Sequence, residues 1–318
     1  MSRQAKESTA SQWFRANEAG GNFMGIRYGR IPHQSDQVEW SFVSHCECDG
    51  IGGFVRILRE RGFAPSNLPS SNHPSRSAIT SLWNLWNDRV GDHVCALRTD
   101  WKRREAPTSA PSQAVAWHVF QESETHAIRE NARRLKVTVN SLLLKHLDHA
   151  IRPEVRGTAP KIPWVIPVNM RGLVRLHDDT ENHVSCVDVL VAADDTPANI
   201  HRQILRRLER GEHQANYLLL GLGRFLSHGT KVKILAKARS KPAGNIGSFS
   251  NLGVWDSQKN METNDSWLFC PPVVRGQLLG AGCVTFQNRL GLALQGHPGT
   301  PPDPVRRWMD RWIGGILH

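Results

Sequence analysis

Apolar positions along the chain follow two periods, and the switches between them outline the expected elements. Apolar residues cluster over 23–30 (FMGIRYGR) and 38–45 (VEWSFVSH), which read as two strands joined by a turn that contains Pro32. After Asp49-Gly50 the period lengthens. Ile51 to Arg61 reads as an amphipathic helix, and Gly62 ends it in the position of a left-handed cap. Residues 64–76 (APSNLPSSNHPSR) have the composition of a loop, and a short helix with Trp83 and Trp86 is expected over 77–88. A strand is expected over 114–121, then a helix from Glu122 to about Arg134. A further helix is capped by Thr138 or Asn140, and its Leu142, Leu143, Leu144 and Leu147 suggest burial. Strands follow over 161–169 (KIPWVIPVN) and 183–192, helical stretches over 197–212 and 215–239, and strands over 244–250, 266–271 and 279–295. A last helix over 303–315 carries Trp308 and Trp312 on one side.

Mixed strands and helices in this order predict an α/β fold of the layered α+β kind. The pattern divides the chain into a polar, loosely ordered segment 1–21, a first unit 22–102, a Pro-containing linker 103–112 (RREAPTSAPS) and a second unit 113–318. Trp40, Trp164, Trp308 and Trp312 fall in apolar patterns and are expected in the core.

Composition narrows the class. With 39% hydrophobic and 22% charged residues among 318, the chain is globular rather than disordered. No run of 18 apolar residues and no apolar segment near the N-terminus is found, so no membrane span or secretory signal is expected and the cytoplasm is the expected location. The six cysteines, Cys46, Cys48, Cys95, Cys186, Cys270 and Cys283, read as reduced thiols. The formal net charge of +11 suits an anionic partner, a nucleic acid or a phosphorylated cofactor, and equally a soluble protein with a basic surface. Two basic runs, Arg133-Arg134-Leu135-Lys136 and Lys231 through Lys233, Arg239 and Lys241, are phosphate or nucleic-acid contacts on one view and solvated helix faces on the other.

One segment carries candidate chemistry: His45-Cys46-Glu47-Cys48-Asp49-Gly50. A histidine at a strand end, titrating near pH ~6.5, suits a general base. Asp49 lies too close in sequence to be taken as a triad carboxylate and is expected to brace the loop through a buried ion pair. Gly50 allows the turn and a close approach at the helix start. The bland alternative is an ordinary strand-end histidine. A metal site from His45, Cys46 and Cys48 lacks a second Cys-x-x-Cys or His-x-x-x-His pair, so no metal is expected. Nothing marks Cys46 as an activated nucleophile.

Three further segments stand in order after the His-x-x-x-Asp-Gly string: Ile166-Pro167-Val168-Asn169-Met170-Arg171, Glu181-Asn182-His183, and Gly247-Ser248-Phe249-Ser250-Asn251-Leu252-Gly253. Together they resemble the CoA-dependent acyltransferase superfamily over about residues 22–316, in its condensation-domain and wax ester synthase/diacylglycerol acyltransferase branches. The resemblance implies a chloramphenicol acetyltransferase-like fold of two similar halves, the first reduced here. It implies that His45 activates the acceptor, that Asp49 pairs with Arg171 to shape the site, and that Gly50 is the motif glycine. Asn169 pins backbone near Arg171, while Ser250 and Asn251 lie on a strand that approaches the site, with Ser250 a candidate oxyanion donor.

The implied activity moves an acyl group from a thioester, acyl-CoA or a phosphopantetheine on a carrier protein, to a hydroxyl or amine, with no tightly bound cofactor. Trp83 and Trp86 would line an acyl tunnel or pack in the core. Three departures stand out. Ser44 replaces the first motif histidine, Glu181-Asn182 stands for Gly-Asn, and only 44 residues precede His45. The last leaves three alternatives: a more open cleft, a cleft completed by another subunit of a homo-oligomer, or a catalytically silent relative that serves as a basic binding module for a protein or nucleic acid. Nucleic acid is not the expected partner of the enzyme.

Overall fold

The computed structural model describes residues 9–22, 24–63, 65, 68–71, 73, 75–87, 114–155, 160–174, 178–239, 245–255, 264–274 and 276–318. In chain order the elements are α1 (Thr9–Ala19), β1 (Gly25–Ile31), β2 (Glu39–Ser44), α2 (Gly50–Glu60), α3 (Ala78–Asn87), β3 (Val115–Val119), α4 (Glu122–Arg134) and α5 (Val139–Ile151). There follow β4 (Lys161–Asn169), β5 (Val184–Ala192), α6 (Pro197–Glu209), α7 (Glu212–Leu222), α8 (His228–Arg239), β6 (Gly247–Trp255), β7 (Ser266–Cys270), β8 (Leu279–Phe286), β9 (Arg289–Gly296) and α9 (Pro302–Leu317).

Local chemistry explains most boundaries. Asp49, Thr138 and Thr196 cap α2, α5 and α6 by accepting from the backbone N–H of Gly52, Ser141 and Asn199. Gln121 and Glu124 form a reciprocal capping box on α4. Gly62 is left-handed at φ 82°, as its position after α2 predicts. Where the pattern suggests one helix over 215–239, the chain breaks at a 3-10 turn, Gly223–Phe225, and Ser227 Oγ accepts from Thr230 N to start α8. The run 279–295 is a hairpin, because Gln287 and Asn288 adopt φ 47° and 62° in a two-residue turn.

Six strands form one sheet in the order β3-β9-β8-β6-β4-β5, and three form a second in the order β2-β1-β7. The main core joins the six-stranded sheet to α4, α5, α6 and α9, with Trp164, Trp308 and Trp312 fully enclosed. A second core sets α2 against β1, β7 and the far ends of β6 and β8. The unit 22–102 therefore does not close on itself, because its sheet takes its third strand, β7, from the second unit. β7 also lies against β8 and β9 at very short range. An added Cβ at Gly282 would stand 2.1 Å from the Phe269 carbonyl oxygen, and one at Gly291 would stand 2.0 Å from that of Trp267.

Two expectations change. Residues 9–19, read as loosely ordered, form α1, whose Ala10, Ser11 and Ala16 are buried. Trp83 and Trp86 reach neither the core nor a tunnel, since α3 turns Ser81 towards Gly211 ahead of α7 and leaves both indoles outward. The linker 103–112 and Cys95 lie outside the described residues.

The close crossing of β7 makes a direct prediction. Gly282→Ala lowers stability by about 2–3 kcal/mol in urea unfolding. Gly314→Ala in α9, where an added Cβ meets nothing within 4 Å, leaves stability unchanged or raises it slightly.

Candidate active site

Strand β2 ends at Ser44, and the backbone N–H of His45 still donates to Met24 O at 2.8 Å, so the histidine is fixed at the mouth of the β1–β2 pair. Ser44 organises the turn that follows. Its Oγ accepts from Cys46 N at 3.1 Å, and its carbonyl accepts from Glu47 N and Cys48 N. The turn delivers Asp49 into the interior as the cap of α2.

The Asp49 carboxylate is fully engaged. Oδ1 accepts from Gly52 N at 2.8 Å and from Arg171 Nη2 at 3.0 Å, and Oδ2 accepts from Arg171 Nη1 and from His183 N, both at 2.8 Å. Arg171 also donates from Nε to Asp179 O at 2.8 Å, from Nη2 to Glu181 O at 3.1 Å and from Nη1 to Asn169 Oδ1 at 3.2 Å. Both side chains are 3% exposed. Asn169 Nδ2 donates to Pro69 O, which ties the loop before α3 to the same point.

Because His183 N is held by Asp49, the preceding residue is held as well, and Asn182 is the side chain that meets His45. Its Nδ2 donates to the His45 carbonyl at 2.6 Å and to Ser11 Oγ at 3.1 Å, so its Oδ1 must be the atom 2.9 Å from His45 Nδ1. An amide oxygen only accepts. Nδ1 therefore carries the proton and Nε2 keeps its lone pair. Phe14 of α1 stacks on the imidazole with ring centroids 4.1 Å apart. Burial outweighs the pull of Asp49 and lowers the His45 pKa below the ordinary 6.5, so the ring is neutral at pH 7.

The ring faces a cavity of about 310 Å3 with mostly apolar walls. Its origin lies in β4. The parallel ladder between β4 and β6 spans only Trp164–Val165 against Gly247–Ser248, and Pro167 has no N–H to extend it. Beyond that point the strands part. Val165 and Pro167 line one side of the opening, Ser250 of β6 another, and Trp13 and Phe14 of α1 a third. His45 and Gly50 also line it.

The site residues expected from the sequence thus separate. His45, Gly50 and Ser250 share the cavity. Asp49, Arg171 and Asn169 form the scaffold behind it. Gly50 does not have a positive φ, and its lack of a side chain serves close approach, since a Cβ there would lie 2.9 Å from Leu252 and 3.0 Å from Phe269. Asn251 is not a lining residue. Adjacent strand positions face opposite ways, and its side chain accepts from Gly253 N and donates to Asn140. Asn182, Trp13 and Phe14 were not singled out. Asn182 stands inside a quoted segment, whereas nothing in the polar opening residues sets Trp13 and Phe14 apart. Cys46 and Cys48 are pushed up to about 12 by burial and stay as thiols. Among the described residues no group of three His, Cys, Asp or Glu side chains is placed to hold a metal ion.

No protein-family model matches the chain, and no curated protein matches it. Solved structures do. A trichothecene 15-O-acetyltransferase from Fusarium sporotrichioides superposes with a TM-score of 0.57 at 14% identity, over 99% of this chain and 75% of that one. The cyclization-docking bidomain of EpoB from Sorangium cellulosum gives 0.54 at 12% identity, over 91% and 62%. The wax ester synthase/diacylglycerol acyltransferase of Marinobacter aquaeolei gives 0.50 at 13% identity, over 87% and 66%. The fold is the one these solved structures share. At these identities the likeness is one of architecture, and the chain spans 62–75% of the length of these three structures. Within this fold the chain places His45 at the cavity and the Asp49–Arg171 pair behind it.

The pair sets an energetic expectation. Arg171→Met leaves a buried carboxylate without its partner and lowers stability by about 3–5 kcal/mol. Arg171→Met combined with Asp49→Asn loses less than the sum of the two single changes, as a double-mutant cycle in urea will measure.

Proposed function

We propose that the protein is an acyltransferase that moves an acyl group from a thioester, acyl-CoA or a carrier-bound phosphopantetheine, to a hydroxyl or amine acceptor. The observation that carries this reading is the state of His45. It is a neutral imidazole whose Nδ1–H is held by Asn182 and whose ring lines an apolar cavity.

Nε2 takes the acceptor proton as the acceptor oxygen or nitrogen attacks the thioester carbonyl. The new C–O or C–N bond forms, the carbonyl becomes a tetrahedral oxyanion, and Ser250 Oγ–H is the side-chain donor on the cavity wall available to it. Collapse breaks the C–S bond, and the imidazolium returns its proton to the thiolate. Asn182 fixes the tautomer and ring orientation and acts through His45, while the Asp49–Arg171 pair fixes Asn182. The apolar walls suit an acyl chain. A cavity of ~150 Å3 takes one benzene, so about twice that volume suits a chain of roughly ten carbons.

Release of free thiol from acyl-CoAs of graded length tests the reading. Turnover is expected with medium-length donors. His45→Ala is expected to lose about 10²–10⁴-fold in kcat/KM. Equal turnover in that variant would remove His45 as the base, whereas no turnover with any donor, alongside tight binding of a protein or nucleic acid, would replace the enzyme reading with the binding-module one. Asn182→Ala is expected to cost roughly ten- to hundredfold in kcat with KM little changed, since it frees the ring without emptying the cavity.

The pH dependence follows from the direction of the His45 shift. Its pKa in the folded protein lies below 6.5, so the active neutral form persists as pH falls through 6.5, and the acid limb of kcat/KM lies on the acidic side of that value. A limb above pH 6.5 would contradict the assignment.

A further inference from the structure

Large apolar side chains in contact with solvent concentrate on one group of neighbouring helices. Trp83 and Trp86 of α3 are 67% and 66% exposed, Leu219 and Leu222 of α7 are 46% and 56%, Phe225 of the 3-10 turn is 72% and Ile234 of α8 is 44%. α3 packs on α7, α7 continues into the 3-10 turn, and α8 follows in the chain and packs on α1, which also contacts α7 and the turn.

The exposed charges on α3, α7, the 3-10 turn and α8 themselves have one sign, and the nearest exposed acid before α7 in the chain is Glu209 at the end of α6. From His213 to Trp255 the sequence contains no Asp or Glu, and α3 carries no charged residue. Glu212, the acid just before that stretch, is buried and paired with Arg207 at 2.6 Å. Arg224, Lys233 and Lys237 are exposed, and the Arg224 guanidinium lies 4.6 Å from the Phe225 ring centroid.

Helix surfaces that interleave Trp, Phe and Leu with Lys and Arg, and lack acids, have the composition that settles at the headgroup level of a bilayer. A second copy of the chain is disfavoured, because a two-fold contact would bring the same cations face to face. The interior supports a lipid in another way. α7 is two-sided, and its Leu220 lines the His45 cavity while Leu219 and Leu222 point outward.

We propose that the outer face of α3, α7, the 3-10 turn and α8 docks on an anionic lipid surface. Leu222, Phe225 and Trp83 enter the boundary between headgroups and acyl chains, and Arg224, Lys233 and Lys237 meet the headgroups. The docked protein then holds its acyl-sized cavity one helix away from a source of apolar substrates. Docking itself requires no turnover and stands apart from the acyltransferase reading.

Co-sedimentation of the full chain with phosphatidylcholine vesicles, with and without about 30% phosphatidylglycerol, tests this. Binding is expected to the anionic vesicles and to fall in about 0.5 M salt. Leu222→Glu combined with Phe225→Glu, and separately Lys233→Glu combined with Lys237→Glu, are each expected to weaken it about tenfold or more with the circular dichroism spectrum unchanged. All four residues lie outside the cavity lining, so thiol release from soluble acyl-CoAs is expected to be unaffected. Absence of binding, equal binding to both vesicle types, or variants that bind like the parent overturn the proposal. So does a lipid-free dimer in sedimentation velocity that the Leu222/Phe225 variant abolishes. Capture by an acidic acyl carrier protein, lost in the same variants while vesicles are ignored, overturns it in favour of a protein partner.

Discussion

Two opposite charges buried at 3% exposure each would ordinarily weaken a fold, because several kcal/mol of hydration per ion is lost before any attraction is regained. Here the loss is offset by saturation. Asp49 accepts four hydrogen bonds, and the Arg171 guanidinium spends its donors on Asp49, Asn169, Asp179 and Glu181. The start of α2, the segment after β4 and the approach to β5 are thereby fixed to one point. No single element there could move without stranding a charge. The His45 tautomer depends on this, since Asn182 sits beside the backbone N–H that Asp49 holds. A rigid electrostatic knot thus lies behind a ring that burial holds in its neutral form.

The cavity has a different origin. It comes from a failure of pairing, where β4 and β6 separate after two residues of ladder and a proline removes the next donor. α1 closes the opening, and its position is fixed by polar contacts on its flanks. Trp13 Nε1 donates to Leu220 O at 3.0 Å, and Gln12 Oε1 accepts from Lys231 Nζ at 2.7 Å. The apolar lining and the desolvated imidazole are two results of the same enclosure.

Features with a strict chemical requirement were legible in the sequence. Asp49 was expected to be braced by a buried ion pair, and the resemblance named Arg171, two residues after KIPWVIPVN, as the partner that the structure gives it. Strand periods marked β1, β2, β4 and β5 to within two residues. What escaped depends on geometry that no local pattern encodes. α1 buries only small and polar residues, so it carries no apolar stripe. Ser250 and Asn251 are neighbours with equal claims until the strand's facing is known, and a bulge after Asn251 obscures that facing. Trp83 and Trp86 look like core residues by type, yet α3 packs through Ser81 instead. The four consecutive apolar residues Trp267–Cys270 of β7 announce a strand but not its partner.

That partnership has a consequence for the order in which the molecule can be made. β1 is synthesised early, at Gly25–Ile31, yet its antiparallel neighbour on one side is Ser266–Cys270. While the nascent chain lengthens between them, β1 presents an open edge and α2 lacks half of the aromatic cluster it packs on. Folding of the first sheet waits on long-range closure, the slow kind of contact. The wall that holds His45 cannot assemble on the ribosome until residue 270 has emerged, so the site is among the last parts of the protein to exist.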